Sequence, residues 1–305
     1  MNLSLREVTL FLRLSRPHYL LLGALLYGLG AAAAYYLAFR IDAVVFLVGL
    51  ILVLVIQLMT HYLVEYNNAV PAEEYHHRTP FTGRTGALGG SALPRRTALT
   101  AAVITLGIGA TTASAFLVTG HVHLISWTLL LLIFLAAYAY SSGPFRLQVS
   151  GLGELILSIA VAMLLPAFGF SLQTGQLHRL VWMVTTPLAA LHMAMMIALS
   201  VPDYVTNLNY DRKVLMVRLG WQTTLRLHDL AVLFAILSMG IGIMLGLPFR
   251  VARGLVLVLP LAAAQIWQMA RVRAGLPPQY TYLAIGGVAL FLLSAYILLV
   301  GFLLV

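Results

Sequence analysis

Long apolar runs alternate along this chain with short polar breaks. A helix needs about 20 apolar residues to cross the hydrocarbon core of a bilayer. Nine runs reach about that length, over residues 19–39, 42–64, 97–119, 123–141, 153–173, 179–201, 230–249, 253–271 and 281–303. The breaks after the first, third, fifth and seventh runs are short: Arg40-Ile41, Gly120 to Val122, Thr174 to His178, and Arg250 to Ala252. Those after the even-numbered runs are longer or more polar. Short breaks join neighbours as helical hairpins and leave every long loop on one side. The pattern predicts an all-α, polytopic membrane bundle forming one domain over residues 1–305. Ahead of the first span, Leu5 to Leu14 has an apolar stripe with Arg6, Glu7 and Arg13 off it. That is the pattern of an amphipathic helix lying in the membrane interface. Small residues inside the spans, such as Gly28, Gly30 to Ala34 and Gly107 to Ala110, predict close helix packing. Pro166, Pro187 and Pro260 predict kinks.

Composition agrees with the pattern. The chain is 61% hydrophobic and 9% charged, where a soluble domain carries about a quarter charged residues. Its mean hydropathy is +0.96. There is no cysteine, which excludes disulfides, thiolate metal sites and a cysteine nucleophile. The N-terminus lacks a cleavable signal pattern, because its first apolar run continues into a full-length span. The net charge of +9 rests on 18 basic residues, all arginine except Lys213. In a soluble protein this would point to nucleic acid. Here the distribution gives a topological reading, with no nucleic-acid partner expected. The N-terminal segment and even-numbered loops hold fourteen basic residues, against Arg40, Arg179, Arg250 and Arg253 on the other side. The positive-inside rule then places the N-terminus and the long loops in the cytoplasm and the C-terminus outside, with the cell inner membrane as the expected location.

The acidic residues share that face, apart from Asp42. They fall mainly in two polar islands, Glu65 to Arg96 and Pro202 to Gly220. In the first, Tyr62, Glu65 and Asn68 recur at three- to four-residue spacing at the end of the second span, and Glu73 and Glu74 follow Pro71. In the second, Asp203, Asn207 and Asp211 fall four apart, the spacing of one helical face, with Arg212 and Lys213 adjoining. Carboxylate and carboxamide oxygens suit a hard cation such as magnesium, which keeps several waters and bridges to substrate phosphate. Neighbouring arginines suit the same phosphate. Together they point to a metal–diphosphate site at a membrane surface; the bland alternative is a pair of solvated loops. His61 and His192, within or at the end of spans, are ligands, bases or hydrogen-bonded interior histidines, whereas His76-His77 reads as loop.

Four stretches carry a resemblance. Arg16-Pro17 in RLSRPHYLLLGALLYGLGAA, Arg78 to Gly83, Tyr138 to Leu155 (YAYSSGPFRLQVSGLGEL) and PDYVTNLNYDRKVLMVRLG from Pro202 occur in order across most of the chain. They resemble the motifs of the UbiA superfamily of intramembrane prenyltransferases, most closely the branch that prenylates dihydroxynaphthoate for menaquinone. The resemblance implies nine helices around a central cavity opening to the cytoplasmic side. It also implies magnesium as cofactor, and a prenyl diphosphate and an aromatic acceptor as substrates in a lipid bilayer. Carried onto this chain, the metal or diphosphate ligands are Glu65, Asn68, Glu74, Asp203, Asn207 and Asp211. Phosphate contacts are Arg78, Arg146, Arg212 and Lys213; Arg16 faces an acidic acceptor; Tyr66, Tyr140 and Tyr204 line the path of an allylic cation.

The departures lie in the acidic motifs. The family's N-D-Y-x-D motif reads here Val64, Glu65, Tyr66 and Asn68, with Glu74 at the following aspartate. In the second motif Asp203 is kept, while Asn207 and Asp211 stand for an aspartate and a glycine. The alternative readings are therefore a divergent member with altered chemistry or a non-catalytic prenyl-lipid-binding protein. The topology has a direct check. A reporter active only outside the cytoplasm should work when fused after Val305 and be silent when inserted between Glu73 and Glu74.

Overall fold

The computed structural model describes residues 5–68, 70–79, 81, 84–89, 92–120 and 123–304. Of the motif Arg78 to Gly83, residues Pro80, Thr82 and Gly83 lie outside the described residues. Among the described residues no strand is present beyond a single bridge between Leu88 and Leu93. Among those residues nine helical stretches are long and apolar enough to cross a membrane.

The first stretch is broken. Helix α1, Leu5–Ser15, ends at Arg16, whose φ of 49° is left-handed, and α2, Pro17–Tyr36, begins with proline in its first turn. Proline suits that position because it has no N–H to leave unpaired. The amphipathic lead-in is thus a helix of its own. It is held by Leu14, which is fully buried, and by a 2.8 Å hydrogen bond between Ser15 Oγ and Tyr62 Oη. The remaining spans are α3 (Ala43–Asn67), α4 (Arg95–Val118), α5 (Leu124–Ser141), α6 with α7 (Gly153–Ile159 and Leu165–Thr174), and α8 (Arg179–Ser200). After the short helices α9 (Tyr204–Asn209) and α10 (Leu215–Leu219) come α11 (Trp221–Met244), α12 with α13 (Phe249–Ala252 and Leu259–Arg273) and α14 (Tyr280–Leu303). Asp42 caps α3, accepting from the backbone N–H of Val44 and Val45 at 2.8 and 3.0 Å, a contribution of about 1 kcal/mol.

One boundary differs from expectation. Span seven begins at Trp221, nine residues before the apolar run. The polar turns persist as helix because their charge is neutralised from another span. Asp229 accepts from Arg273 of α13 at 2.6 Å and pairs with His228 at 3.0 Å. The three prolines expected to kink helices sit in different local settings. Pro187 sits inside α8, and Pro166 follows a π-helical turn over Ala160–Leu164. Pro260 opens α13 after a 3-10 stretch over Arg253–Val258.

The core joins α2, α3, α5, α7, α8 and α14, around Tyr27, Phe168, Phe170 and Phe291. Exposed apolar side chains such as Leu47, Leu131, Leu132, Leu233 and Leu237 cover the outside, as a lipid-facing surface requires. The tightest crossing is α2 on α7, and it needs glycine. A Cβ on Gly30 would meet the carbonyl oxygen of Pro166, and one on Gly169 would meet that of Tyr27. Backbone cannot yield as a side chain can. Gly30→Val or Gly169→Val should therefore cost at least the ~1–3 kcal/mol of an overpacked core. Gly107→Ala, with nothing within 4 Å of its Cβ, should be silent. Thermal unfolding in detergent distinguishes them.

Candidate active site

Where α8 stops at Ser200 and α9 restarts at Tyr204, the chain turns Asp203 towards the centre of the bundle. The cavity it lines has a volume of about 260 Å³. Its walls come from both halves of the chain. Arg16, Tyr19 and Leu22 enter from α2 and its lead-in, Gln57, His61 and Asn68 from α3, and Tyr140 from α5. Glu154 and Leu157 enter from α6, His192, Met196 and Leu199 from α8, and Asp203, Asn207 and Arg212 from the second island. Charged groups lie at the end shared with the long loops, and mostly apolar ones beyond.

The two islands do face one another. Arg212 Nη1 donates to Tyr75 Oη at 2.7 Å, and Asn68 Nδ2 donates to the same oxygen at 3.2 Å. Thr206 Oγ1 donates to the backbone carbonyl of Glu74 at 2.9 Å. Tyr210 hydrogen-bonds the Glu74 side chain.

The structure sorts the residues named from the sequence. Asn68, Asp203, Asn207, Arg212, Arg16 and Tyr140 line the cavity. Glu65 is turned the other way. With Tyr62 it shares the face of α3 that meets α1, where it is 1% exposed. Its Oε1 accepts from Arg16 Nη2 at 2.7 Å and from the Thr85 backbone N–H at 2.9 Å, and Arg84 Nε stands 3.5 Å from Oε2. The expected single helical face of Asp203, Asn207 and Asp211 is not formed. Helix α9 ends at Asn209, Arg212 N–H closes back onto the Asn207 carbonyl at 2.9 Å, and Asp211 takes a left-handed φ of 47°. Asp211 and Lys213 are exposed and outside the cavity lining. Arg146 is exposed, with Nη2 3.4 Å from Asn67 Oδ1. Arg78 lines an adjoining recess of about 530 Å³ with Arg13, Arg16 and Arg84. Of the three tyrosines, Tyr66 lies under Arg95 and Tyr204 against Trp221, at 5.0 and 4.9 Å, so only Tyr140 borders the cavity.

Other residues belong to this site that the sequence did not single out for it. Glu154, Tyr19 and Gln57 line it, and Arg84 completes the pairing of Glu65. Glu154 was in view as the end of the Gly-Leu-Gly-Glu stretch, an acidic residue beginning an apolar span. Its Oε1 accepts from the Leu215 N–H at 3.3 Å, tying the second island to α6. Gln57 was an amide deep within an apolar run, which is a signal of its own. Nothing local marked Arg84 or Tyr19.

Among the described residues no three His, Cys, Asp or Glu side chains come together as a metal cluster. The Asp203 carboxylate lines the cavity, and so does Asn207, whose buried Oδ1 has no hydrogen-bond partner among the described residues. Magnesium takes one or two carboxylates and completes its shell with water and substrate phosphate. The pair fits an ion held jointly with a diphosphate.

Residues 90–279 match the UbiA prenyltransferase family. The chain belongs to that family, and with nine apolar spans it is an integral membrane protein of the intramembrane prenyltransferase class. No curated protein sequence matches it. Solved structures share the fold. A digeranylgeranylglyceryl phosphate synthase aligns over 98% of both chains at 14% identity and a TM-score of 0.64. A UbiA homologue from Archaeoglobus fulgidus aligns over 95% of this chain and 99% of its own, at 15% identity and a TM-score of 0.62. The same homologue bound to GPP and Mg2+ aligns at 16% identity and a TM-score of 0.60, over 95% and 99%.

Glu65 gives a stability test. Removing one member of a buried ion pair leaves the others uncompensated and costs about 3–5 kcal/mol. Glu65→Ala should unfold that much more readily, while Glu73→Ala, at an exposed position, should stay within about 0.5 kcal/mol.

Proposed function

We propose that this protein transfers an isoprenyl group from a prenyl diphosphate to an aromatic, quinone-precursor acceptor, with magnesium, at the cavity between its two polar islands. The observation that carries this reading is the cavity's division into a charged mouth and an apolar interior. A prenyl diphosphate has the same two parts. The Archaeoglobus fulgidus homologue bound to DMAPP or GPP and Mg2+ supports the assignment. The acceptor proposed is of the dihydroxynaphthoate type, by the motifs between Tyr138 and Leu155 and between Pro202 and Gly220. The whole chain acts as one domain in the cell inner membrane, its charged face in the cytoplasm.

Arg16 and Arg212 contact the diphosphate, since both line the mouth and guanidinium groups bind phosphate in a planar, bidentate way. Asp203 and Asn207 are the residues that would hold magnesium, which supplies charge neutralisation to the leaving group when bound. The carbon–oxygen bond to the diphosphate breaks, and the allylic cation is left among Tyr140 and the apolar walls. Those walls keep water from it, and fixed dipoles stabilise charge without reorganising. The acceptor ring then forms the new carbon–carbon bond.

A second reading, a prenyl-lipid-binding protein without turnover, is favoured by the engagement of Glu65 with two arginines, which leaves the first island without that carboxylate at the cavity. One assay separates them. Purified protein with magnesium, geranyl diphosphate and dihydroxynaphthoate should release pyrophosphate and form prenylated product. Asp203→Ala should lower the rate by about 10²-fold or more. Tight donor binding without pyrophosphate release, across a panel of aromatic acceptors, establishes the second reading.

A further inference from the structure

At the end of the bundle opposite the two polar islands, a groove of about 210 Å³ opens between α8, α11, α14 and the broken eighth span. Its lining shares no residue with that of the candidate active site, and α8 separates the two. Pro187, Leu188 and Leu191 face the groove, whereas His192, Met196 and Leu199 face the site. The groove follows from the backbone of span eight. Arg253–Val258 is a 3-10 stretch, in which side chains three apart eclipse one another. Arg253, Val256 and Leu259 line the groove at that spacing. Gly240 of α11 lines it too, and a Cβ there would meet nothing within 4 Å. The groove runs from Ile243 to Ala235 along α11 and from Leu298 to Leu290 along α14. Either path is about 12 Å of helix rise. That is a little under half of a hydrocarbon core of about 30 Å, the depth of one leaflet.

The groove has two chemical parts. Besides Arg253, its one polar side chain is Ser294, whose hydroxyl donates to the Leu290 carbonyl of its own helix at 2.7 Å. What fits beside it is hydrocarbon. At the mouth stand Arg253 and, three residues before it on α12, Arg250. Arg179 comes to the same turn, since a Cβ on Gly246 would lie 3.6 Å from its Nη2. All three are exposed, and among the described residues none is in an ion pair. Asp42, the acidic residue at that end of the bundle, is engaged in capping α3. Ile236, Phe249 and Val256 stay exposed along the open side, so the groove is reached sideways from the bilayer.

We propose that this groove binds one anionic phospholipid, with an acyl chain between α11 and span eight and its phosphate on Arg253. The charge decides the occupant. A neutral lipid leaves the arginines at the mouth unanswered, whereas a guanidinium meets phosphate through planar, bidentate hydrogen bonds. Free phosphate uses the mouth and leaves the apolar length of the groove empty. A second copy of this chain, docked by the same face, brings more arginine and no negative charge. A prenyl chain held by its diphosphate at the islands reaches this groove only across α8. Binding here also has a consequence for the site. Pro187 removes a backbone hydrogen bond from α8 where that helix borders the groove, and a lipid packed against it supports the helix that carries His192 and leads to Asp203.

The test uses the full chain in a neutral detergent, with dioleoyl phosphatidylglycerol, dioleoyl phosphatidylcholine or inorganic phosphate added separately. Thermal unfolding reads stability, and native mass spectrometry reads retained lipid and oligomeric state. Phosphatidylglycerol should raise the unfolding temperature by several degrees and be retained at one per chain, and the other two should do neither. Arg253→Gln removes the charge and keeps most of the stem, and should weaken phosphatidylglycerol binding about tenfold or more. Gly240→Leu places a side chain in the groove and should abolish retention, with lipid-free protein unfolding within a few degrees of wild type. Arg40→Gln, the same charge change outside the groove lining, should bind as wild type. Equal stabilisation by phosphatidylcholine, or an equal loss in Arg40→Gln, shows attraction without a site and overturns the proposal. Stabilisation by phosphate alone assigns the arginines to a free anion, and a dimer that Gly240→Leu dissociates assigns the groove to a second copy; either overturns it. Retention unchanged in both groove variants does the same.

Discussion

The Glu65 carboxylate is nearly sealed from solvent at the end of a membrane span, where the bilayer has no partner to offer it. An unpaired charge there costs several kcal/mol. The cost is met by Arg16 from the break between α1 and α2, Arg84 from the loop after α3, and the Thr85 N–H. Three segments separated in sequence are thereby tied to one residue. The knot also explains the break itself. Arg16 holds a left-handed φ, a conformation costing of order 1 kcal/mol or more, and the ion pair offsets it. Because Arg16 also lines the cavity, the same carboxylate that secures the fold sets the position of a cation in the site.

The opposite wall is placed by an interruption of another kind. Helix α8 brings His192, Met196 and Leu199 along the cavity and then stops, so that Asp203 and Asn207 follow on a short helix at the mouth. Thr206 fastens this helix to the Glu74 backbone, Arg212 just beyond it bonds Tyr75, and Glu154 of α6 accepts from Leu215 at the start of α10. The glycine-dependent crossing of α2 on α7 brings Arg16 and Tyr19 close enough to complete the wall. Thus the rigid interior sets the distance between the islands, and the polar contacts set only their register.

The spans were legible because burial in a bilayer depends on composition over a window, which a single sequence contains. The start of α11 was not, because Asp229 is compensated by Arg273, forty-four residues further on. Glu65 shows the same limit at the site. Its residue type and spacing are those of a ligand, but the face it presents depends on cations forty-nine residues before it and nineteen after. The failed stack of Asp203, Asn207 and Asp211 is a local miss. Four-residue spacing implies a common face only while the helix lasts, and this one ends at Asn209. Asparagine and aspartate readily take left-handed conformations, so the NYD of Asn209 to Asp211 was a stop signal in plain view. For His61 the residue was visible and its partner was not, because Nδ1 lies 3.0 Å from the backbone carbonyl of Ser15, forty-six residues before it.

Charge balance at the mouth links the altered acidic motifs to the proposed metal. The cavity and the Glu65 knot hold Arg16, Arg84 and Arg212 against Glu65, Glu154 and Asp203, so their formal charges cancel. A diphosphate entering this mouth adds negative charge to a neutral site of low dielectric. Arg16 and Arg84 cannot fully answer it, since Glu65 already draws on both. On the function proposed, a cation would accompany the ligand, and the Oδ1 of Asn207, without a hydrogen-bond partner among the described residues, is where the protein has oxygen to offer one. Asparagine at 207, where the resemblance has an aspartate, would remove charge from the protein's share of that proposed coordination and leave more of it to the diphosphate. On that proposal metal and donor affinity would be strongly coupled, each low without the other, as reciprocal linkage requires.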